Sequence, residues 1–479
     1  MSFLGAQNSI ALGVQGLIHI DTGGGAGGSA DYLLAKSLRF RSSASAYLNR
    51  TPATATNQKT WTWSGWVKRG TLGATQNLAT VANTGSSLYF YLRFLSTDVL
   101  EVFTYNSAGS AFVWQLQTTQ VFRDPAAWYH IVVATDTTQG TAANRVKIYV
   151  NGSQITSFAI ATYPSASYDT VYNFNGASYV TSYLGAANFY DGELAELNSV
   201  DGQALAPTAF GASSTYNQWL PIRYAGTYGT NGFYLPFTNT ASTSTLVADS
   251  SGNANNWTPN NISLTAGSTY DSLTDVPTLT STTVANYAVL NPLQKGGSVN
   301  PSSGNLQYLN TATAYFKVFS TIGITSGKWY VEYVIVASSA IASSRTAAGL
   351  ARYDVSTSNY YGFDTYSWGS INTSNVVYNS NTAKAITTGA FVAGDVLMLA
   401  YDADAGKLWF GVKGAWDNGN DPSTGSTPSY STNLLGSTGP FFFGVHGYTS
   451  PDNTAINFGQ QPFAYTPPSG FLPLNTYNI

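Results

Sequence analysis

The sequence predicts an all-β protein: two antiparallel β-sandwich (jelly-roll) domains joined by a turn-rich connector, with a short N-terminal arm. Three observations predict it. Of 479 residues only 9% are charged, while 43% are apolar and 14% aromatic, with 33 Tyr, 24 Phe and 11 Trp; that supply fills large cores. The polar residues are largely Thr, Ser and Asn, which with 46 Gly favour strands and turns over helices. Finally, short stretches alternate apolar and polar residues with period two between turn formers, the pattern of half-buried strands.

Residues 1–35 read as an attachment arm and hinge. The apolar Ile18-His19-Ile20 runs into DTGGGAGGSA, Asp21 to Ala30. No Gly-Lys-Ser or Gly-Lys-Thr follows, so the glycines read as a flexible hinge rather than a phosphate loop. From residue 36 the strand signals are dense. In TWTWSGWV (60–67) Trp61, Trp63 and Val67 fall on one face and Thr62, Ser64 and Trp66 on the other. WYHIVVATD (128–136) is apolar on both faces, as an inner strand is. RVKIYV (145–150) sends Val146, Ile148 and Val150 inward, and Asn151-Gly152 behind it is a strong hairpin turn signal, since both positions need positive φ.

SLRF (37–40), WTWSGWVKRG (61–70), WYHIVVATD and RVKIYVNGSQI (145–155), followed by LGAANFYDGELAELNSVDGQAL (184–205), resemble a laminin-G-like, concanavalin-type jelly roll over residues 36–210. Residues 211–300 are dominated by turn formers and read as a connector; similar stretches occur in virion proteins of marine bacteriophages. From residue 301, GKWYVEYVIV (327–336), the DADAGKLWFG hairpin (402–411) and NFGQQPF (457–463) resemble a SPRY domain over 301–479.

Net charge is −3, with 20 Lys and Arg against 23 Asp and Glu. Positive charge this sparse speaks against nucleic-acid binding. The chain has no cysteine, hence no disulfide or thiolate metal site, and His19, His130 and His446 are far apart in sequence. No apolar run of about 18 residues predicts a transmembrane segment, and the N-terminus lacks the basic start of a secretory leader.

Catalysis is not expected. Asp191, Glu193 and Glu196 are the densest acids of the first domain, and a glycosidase needs two carboxylates facing across a groove; the surrounding residues instead resemble a non-catalytic closing strand. No Gly-x-Ser-x-Gly elbow accompanies the histidines. A calcium ion is a weaker expectation: Asp249, Ser251, Asn253 and Asn255 present oxygens at alternate positions, but Asn260 stands where a calcium loop carries Glu. An Asx-stabilised turn without an ion is preferred.

Binding remains. Tyr, Trp, Ser, Gly and Asn form adaptable contact surfaces, and the candidate loops are 104–109, 358–369 and 414–425. Tyr105, Trp114, Tyr360, Tyr361, Trp368 and Trp416, with Asp417, are the expected ligand-contacting residues. The resemblances together imply a phage tail fibre or adhesin, anchored to other virion proteins through residues 1–35, trimeric, exposed on the virion, and recognising a host surface polysaccharide or protein. A capsid decoration or head fibre protein is the alternative, and a polysaccharide-degrading enzyme the second.

Overall fold

The computed structural model describes residues 32–297, 299–311, 313–337, 347–371, 376–448 and 452–479. The attachment arm and glycine hinge expected over 1–35 therefore lie almost entirely outside the described residues. The chain divides into two compact units. One holds the described residues up to 264 together with 271–278; the other holds 265–270 and 279–479. Both are antiparallel β-structures.

The amino-terminal unit contains β1 (Ser37–Phe40), β2 (Tyr47–Arg50), β3 (Thr60–Arg69), β4 (Gln76–Asn83), β5 (Leu88–Phe94), β6 (Val99–Asn106), β7 (Ala111–Val121), β8 (Trp128–Asp136), β9 (Val146–Val150), β10 (Ser153–Gln154), β11 (Phe158–Thr162), β12 (Ser178–Val180), β13 (Gly192–Asp201), β14 (Gly211–Ser213), β15 (Trp219–Pro221), β16 (Phe233–Leu235), β17 (Thr258–Asn260) and β18 (Ser272–Leu273). One sheet runs β10-β9-β8-β3-β13-β1-β18, with β16 also paired to β13; the other runs β11-β7-β6-β5-β4-β12-β2-β17. Side-chain alternation sends one residue in two from each sheet into a shared core. Trp61, Trp63, Val67, Ile131, Val133 and Ile148 enter it from the first sheet, and Phe90, Leu92, Leu100, Val102, Trp114 and Leu116 from the second. A cavity of about 30 Å³ between Trp63, Tyr172, Phe233 and Trp257 has room for one water molecule, not a ligand.

The expected faces of β3 and β9 are those observed, and β8 lies inside its sheet, buried on both faces. Asn151 and Gly152 have φ of +47° and +79°. A Cβ at Gly152 would come 2.5 Å from the Trp219 ring, so that turn needs glycine for space as well as for φ.

The stretch read as a connector is ordered. Residues 211–264 and 271–278 fold with the amino-terminal unit, and 279 onward with the other. Within the amino-terminal unit Phe210, Tyr224, Tyr228 and Tyr234 form a second layer on the outer face of the first sheet, packed on Val132 and Val200. The described residues contain one short α-helix, α1 (Thr243–Leu246), closed by a Ser242–Thr245 capping box.

The carboxy-terminal unit contains β19 (Leu290–Lys295), β20 (Pro301–Ser302), β21 (Gln307–Leu309), β22 (Phe316–Ser320), β23 (Lys328–Ala337), β24 (Ala347–Arg352), β25 (Ser367–Ile371), β26 (Val376–Asn379), β27 (Thr382–Ala385), β28 (Val396–Asp402), β29 (Lys407–Val412), β30 (Ala415–Trp416), β31 (Phe441–Gly447) and β32 (Asn453–Asn457). Its sheets run β19-β22-β31-β24-β25-β26-β27 and β20-β21-β32-β23-β28-β29-β30. Tyr401 on β28 meets Phe441 and Phe443 on β31, with ring centres 5.8 and 6.5 Å apart, so these two sheets also share a core.

Candidate functional site

The feature that stands out is the outer face of the second sheet of the amino-terminal unit. In β5, Phe90, Leu92 and Phe94 go to the core, which turns Tyr89, Tyr91 and Arg93 outward. In β6, Leu100 and Val102 go inward and Glu101, Phe103 and Tyr105 outward. The register then aligns the outward residues: Tyr89 opposes Tyr105, Tyr91 opposes Phe103, Arg93 opposes Glu101. Phe112 on β7 pairs with Tyr105, and Gln115 with Phe103. Such cross-strand pairs each contribute roughly 0.2–1 kcal/mol to the sheet.

The result is a face paved with rings. Tyr91 and Phe103 stack with centres 4.6 Å apart, and Tyr183 adjoins Tyr91 at 5.9 Å. Phe112 meets the edges of Phe103 at 5.2 Å and Tyr105 at 5.3 Å. Tyr179 on β12 and Tyr47 on β2 carry the aromatic surface further, 6.1 Å from each other. Phe112 is 46% exposed; Tyr47, Tyr89, Tyr105, Tyr179 and Tyr183 are half-buried. Burial, and then the neighbouring Tyr183 hydroxyl, push the Tyr91 hydroxyl well above the usual phenol range, so it stays protonated.

Polar anchors sit among the rings. The Arg93 guanidinium lies 4.4 Å from the Phe103 ring centre and 5.8 Å from that of Tyr91. Its Nε donates to Glu101 at 2.8 Å, and Gln115 donates to the other Glu101 oxygen at 2.5 Å. Glu101 is buried, whereas Arg93 keeps 21% of its side chain exposed. Rings that offer flat apolar area beside fixed polar groups suit a ligand with both apolar faces and hydroxyl edges.

Of the residues expected to contact a ligand, Tyr105 lies on this face. Trp114, one strand over, points to the opposite side and is fully buried in the core. Tyr360, Tyr361 and Trp368 are also buried, which corrects their reading as stacking residues: β24, β25 and β31 close around them. Tyr361 accordingly donates its hydroxyl to the Val318 carbonyl, and Trp368 packs on Phe441. Trp416 is half-buried against Tyr330, edge to face. Asp417 is buried and accepts from Thr387 N and from Ser429 Oγ at 3.0 Å, so it braces two loops.

The would-be calcium oxygens are engaged by the protein. The Asp249 carboxylate accepts from the backbone N–H groups of Tyr234, Ser251 and Asn255 and from Ser251 Oγ. Asn253 and Asn255 donate their side-chain amides to backbone carbonyls, and Arg50 donates to Asn255 Oδ1 at 2.7 Å. This is the Asx-turn reading, carried by nine hydrogen bonds within the protein.

The acids of the first domain do not meet across a groove. Asp191 is buried and accepts from Thr71 Oγ1 at 2.8 Å. Glu193 lies under 271–278, where burial and then Asp275 raise its carboxyl well above the usual range. Glu196 accepts the Tyr32 hydroxyl at 2.6 Å, and burial pushes its carboxyl up to about 8. His130 is a packing residue as expected: it lies between Trp66 and Trp219, bonded to Ser64 and to Trp219 Nε1, and burial lowers it to about 3.

In the carboxy-terminal unit an open hollow of about 470 Å³ is lined by Arg352, Asp354, Phe363, Asp364 and Tyr366. Arg352 makes a two-point ion pair with Asp354 at 2.7 and 2.8 Å and lies 3.5 Å from the Tyr366 ring centre. The loop 358–369 thus does present aromatics, but through Phe363 and Tyr366 rather than the buried Tyr360 and Tyr361.

Residues 42–209 match the family model of the concanavalin A-like lectin/glucanases superfamily, a laminin G model. The amino-terminal unit is therefore laminin-G-like over most of its length. No curated protein matches the chain. Among solved structures, the SPRY domain of human HERC1 is 18% identical, covering 35% of this chain and 96% of its own, with a TM-score of 0.29. A further human SPRY domain is 12% identical, covering 32% and 91%, with a TM-score of 0.25. A heptameric SAP-like pentraxin from Limulus polyphemus is 17% identical, covering 36% and 78%, with a TM-score of 0.26. Among the described residues no cluster of His, Cys, Asp or Glu could hold a metal ion, and no helix is long and apolar enough to cross a membrane.

Proposed function

We propose that the protein is a non-catalytic glycan-binding protein of a virion surface, a tail fibre or adhesin that attaches a particle to its host. The observation that carries the binding reading is the aromatic outer face of the laminin-G-like unit. A soluble protein gains nothing in folding from leaving Phe112 and a row of tyrosines toward water, and exposed aromatic patches mark interaction sites. A sugar ring offers C–H faces to the rings and hydroxyl edges to the tyrosine hydroxyls. The lectin and glucanase superfamily match of the same unit agrees with that chemistry. Binding without catalysis is supported by the burial of Asp191 and Glu193, whose carboxylates do not face an open groove. The virion setting rests on the resemblance of the connector sequence. Many weak sites on one particle raise the effective affinity without any single tight contact.

The test has two arms. Purified protein should bind isolated host-type surface polysaccharide, and Phe112→Ala with Tyr105→Ala should lose that binding while keeping the unfolding transition. Antibody against residues 301–479 should label intact particles, at the tail for an adhesin and over the shell for a decoration protein. Absence of binding in the first arm removes the glycan reading; absence of label removes the virion reading.

A further inference from the structure

We infer that the ligand of the aromatic face is an acidic polysaccharide, one bearing uronate carboxylates or sulfates, and that Arg93 is the residue that selects it. This deepens the glycan-binding reading and rests on it. The charge layout of the face carries the inference. Among the strands of this sheet the outward-facing charged residues are Arg93 and Glu101. They are not equivalent. Glu101 is buried, and both its oxygens accept hydrogen bonds, from Arg93 Nε and from Gln115. Its oxygens are thereby satisfied inside the protein. Arg93 gives Nε to that pair, and 21% of its side chain stays exposed.

The guanidinium is also held in place. Its stacking over Phe103 and its bond to Glu101 fix the plane before any ligand arrives. A planar, weakly hydrated fork fixed this way engages a carboxylate or sulfate through two parallel N–H donors at little entropic cost. The face therefore presents one oriented, partly exposed cation over the buried Phe103 ring in a chain whose overall charge is −3. A neutral glycan would use the rings alone and leave the fork hydrated; an acidic one uses both.

The test uses the full chain and pairs of polysaccharides that share a backbone and differ in charge: pectate against its methyl ester, and dextran sulfate against dextran, by titration calorimetry at two salt concentrations. Expected is binding to at least one charged member that is about tenfold tighter than to its neutral partner and that weakens with salt. Arg93→Gln should abolish that difference by bringing the charged member down to the affinity of the neutral one. Because this variant strands Glu101, Arg93→Gln with Glu101→Gln, which keeps a neutral hydrogen-bonding pair, serves as the second variant and should behave alike. Equal affinity for charged and neutral members, or a preference that survives both variants, overturns the inference and leaves glycan binding standing. No binding to any member, with Phe112→Ala indistinguishable from wild type, overturns both.

Discussion

The guanidinium of Arg93 stacks 4.4 Å above the Phe103 ring while its Nε bonds to Glu101 on the adjacent strand. One side chain thus links the ring row of the outer face to the buried carboxylate beside it. Each contact fixes the other: the ion pair aims the guanidinium, and the ring limits its tilt. Cation–π pairs contribute about 0.5–1 kcal/mol at exposed sites and more when water is excluded, so the arrangement is worth more as pre-orientation than as stability.

Phe112 and Trp114 lie two residues apart on β7, a spacing that regular alternation would keep on one face, but the register shift between Thr104 and Tyr105 on the paired strand marks a bulge between them and turns them to opposite faces. Truncation should separate function from folding there. Phe112→Ala should leave the thermal transition nearly unchanged and lower glycan affinity about tenfold, equal to about 1.4 kcal/mol. Trp114→Ala should lower stability by about 3–5 kcal/mol through the cavity it opens in the core. Chemical denaturation and binding titration of the same two variants check it. Equal effects of both on folding would mean that the outer face is buried in the working protein.

The loop at Asp249 should be indifferent to calcium. Its carboxylate already receives four hydrogen-bond donors from the protein. Chelator and millimolar calcium should both leave the melting temperature where it is, since an ion that does not bind the native state gives no mass-action stabilisation. Asp249→Ala should lower it, at about 1–3 kcal/mol, by stranding buried N–H groups. A calcium-dependent rise in melting temperature would refute the Asx-turn assignment.

The sequence patterns made the strands legible more readily than the site. Period-two alternation located β3, β8 and β9 and their inward faces, and Asn151-Gly152 marked its hairpin turn, because these depend on neighbours along the chain. Loops and tryptophans are the expected places for ligand-facing aromatics, yet Trp114 and Trp368 are core residues. Large rings in β-sandwiches fill the space between sheets unless alternation turns them out. That signal was present in LYFYLRF (88–94) and VLEVFTYN (99–106), where aromatics occupy the polar phase of the strand. Only the register shows that Tyr91 and Phe103 lie side by side, and register is set across the sheet rather than within either strand. The layering of 211–264 over the first sheet is hidden for a similar reason: its strands are short and its partners distant in sequence.

Glu196 and His130 should give the protein a stability optimum on the acid side of neutrality. Glu196 sits at a positive-φ position of β13, its carboxyl raised to about 8 by burial, with Tyr32 donating to one oxygen. The folded state therefore holds a proton that the unfolded chain releases near the ordinary carboxyl value of 4.5. Its contribution is complete below that value and is lost as pH rises toward about 8, since stability falls wherever the native state binds more protons. His130 acts in the opposite sense. Buried neutral between Trp66 and Trp219 and lowered to about 3, it contributes above 6.5 and loses that contribution as pH falls toward 3. The two oppose each other between 4.5 and 6.5, which leaves a decline on either side. Glu193, also raised, steepens the alkaline limb. Glu196→Gln keeps the shape and removes the titration. Between pH 6.5 and 8 it should reduce the fall in unfolding free energy by about 2 kcal/mol, at about 1.4 kcal/mol per pH unit for one proton, and leave the acid limb intact. Urea unfolding at half-unit pH steps measures both limbs; an alkaline limb unchanged in the variant would show that Glu196 is already ionised in the folded protein.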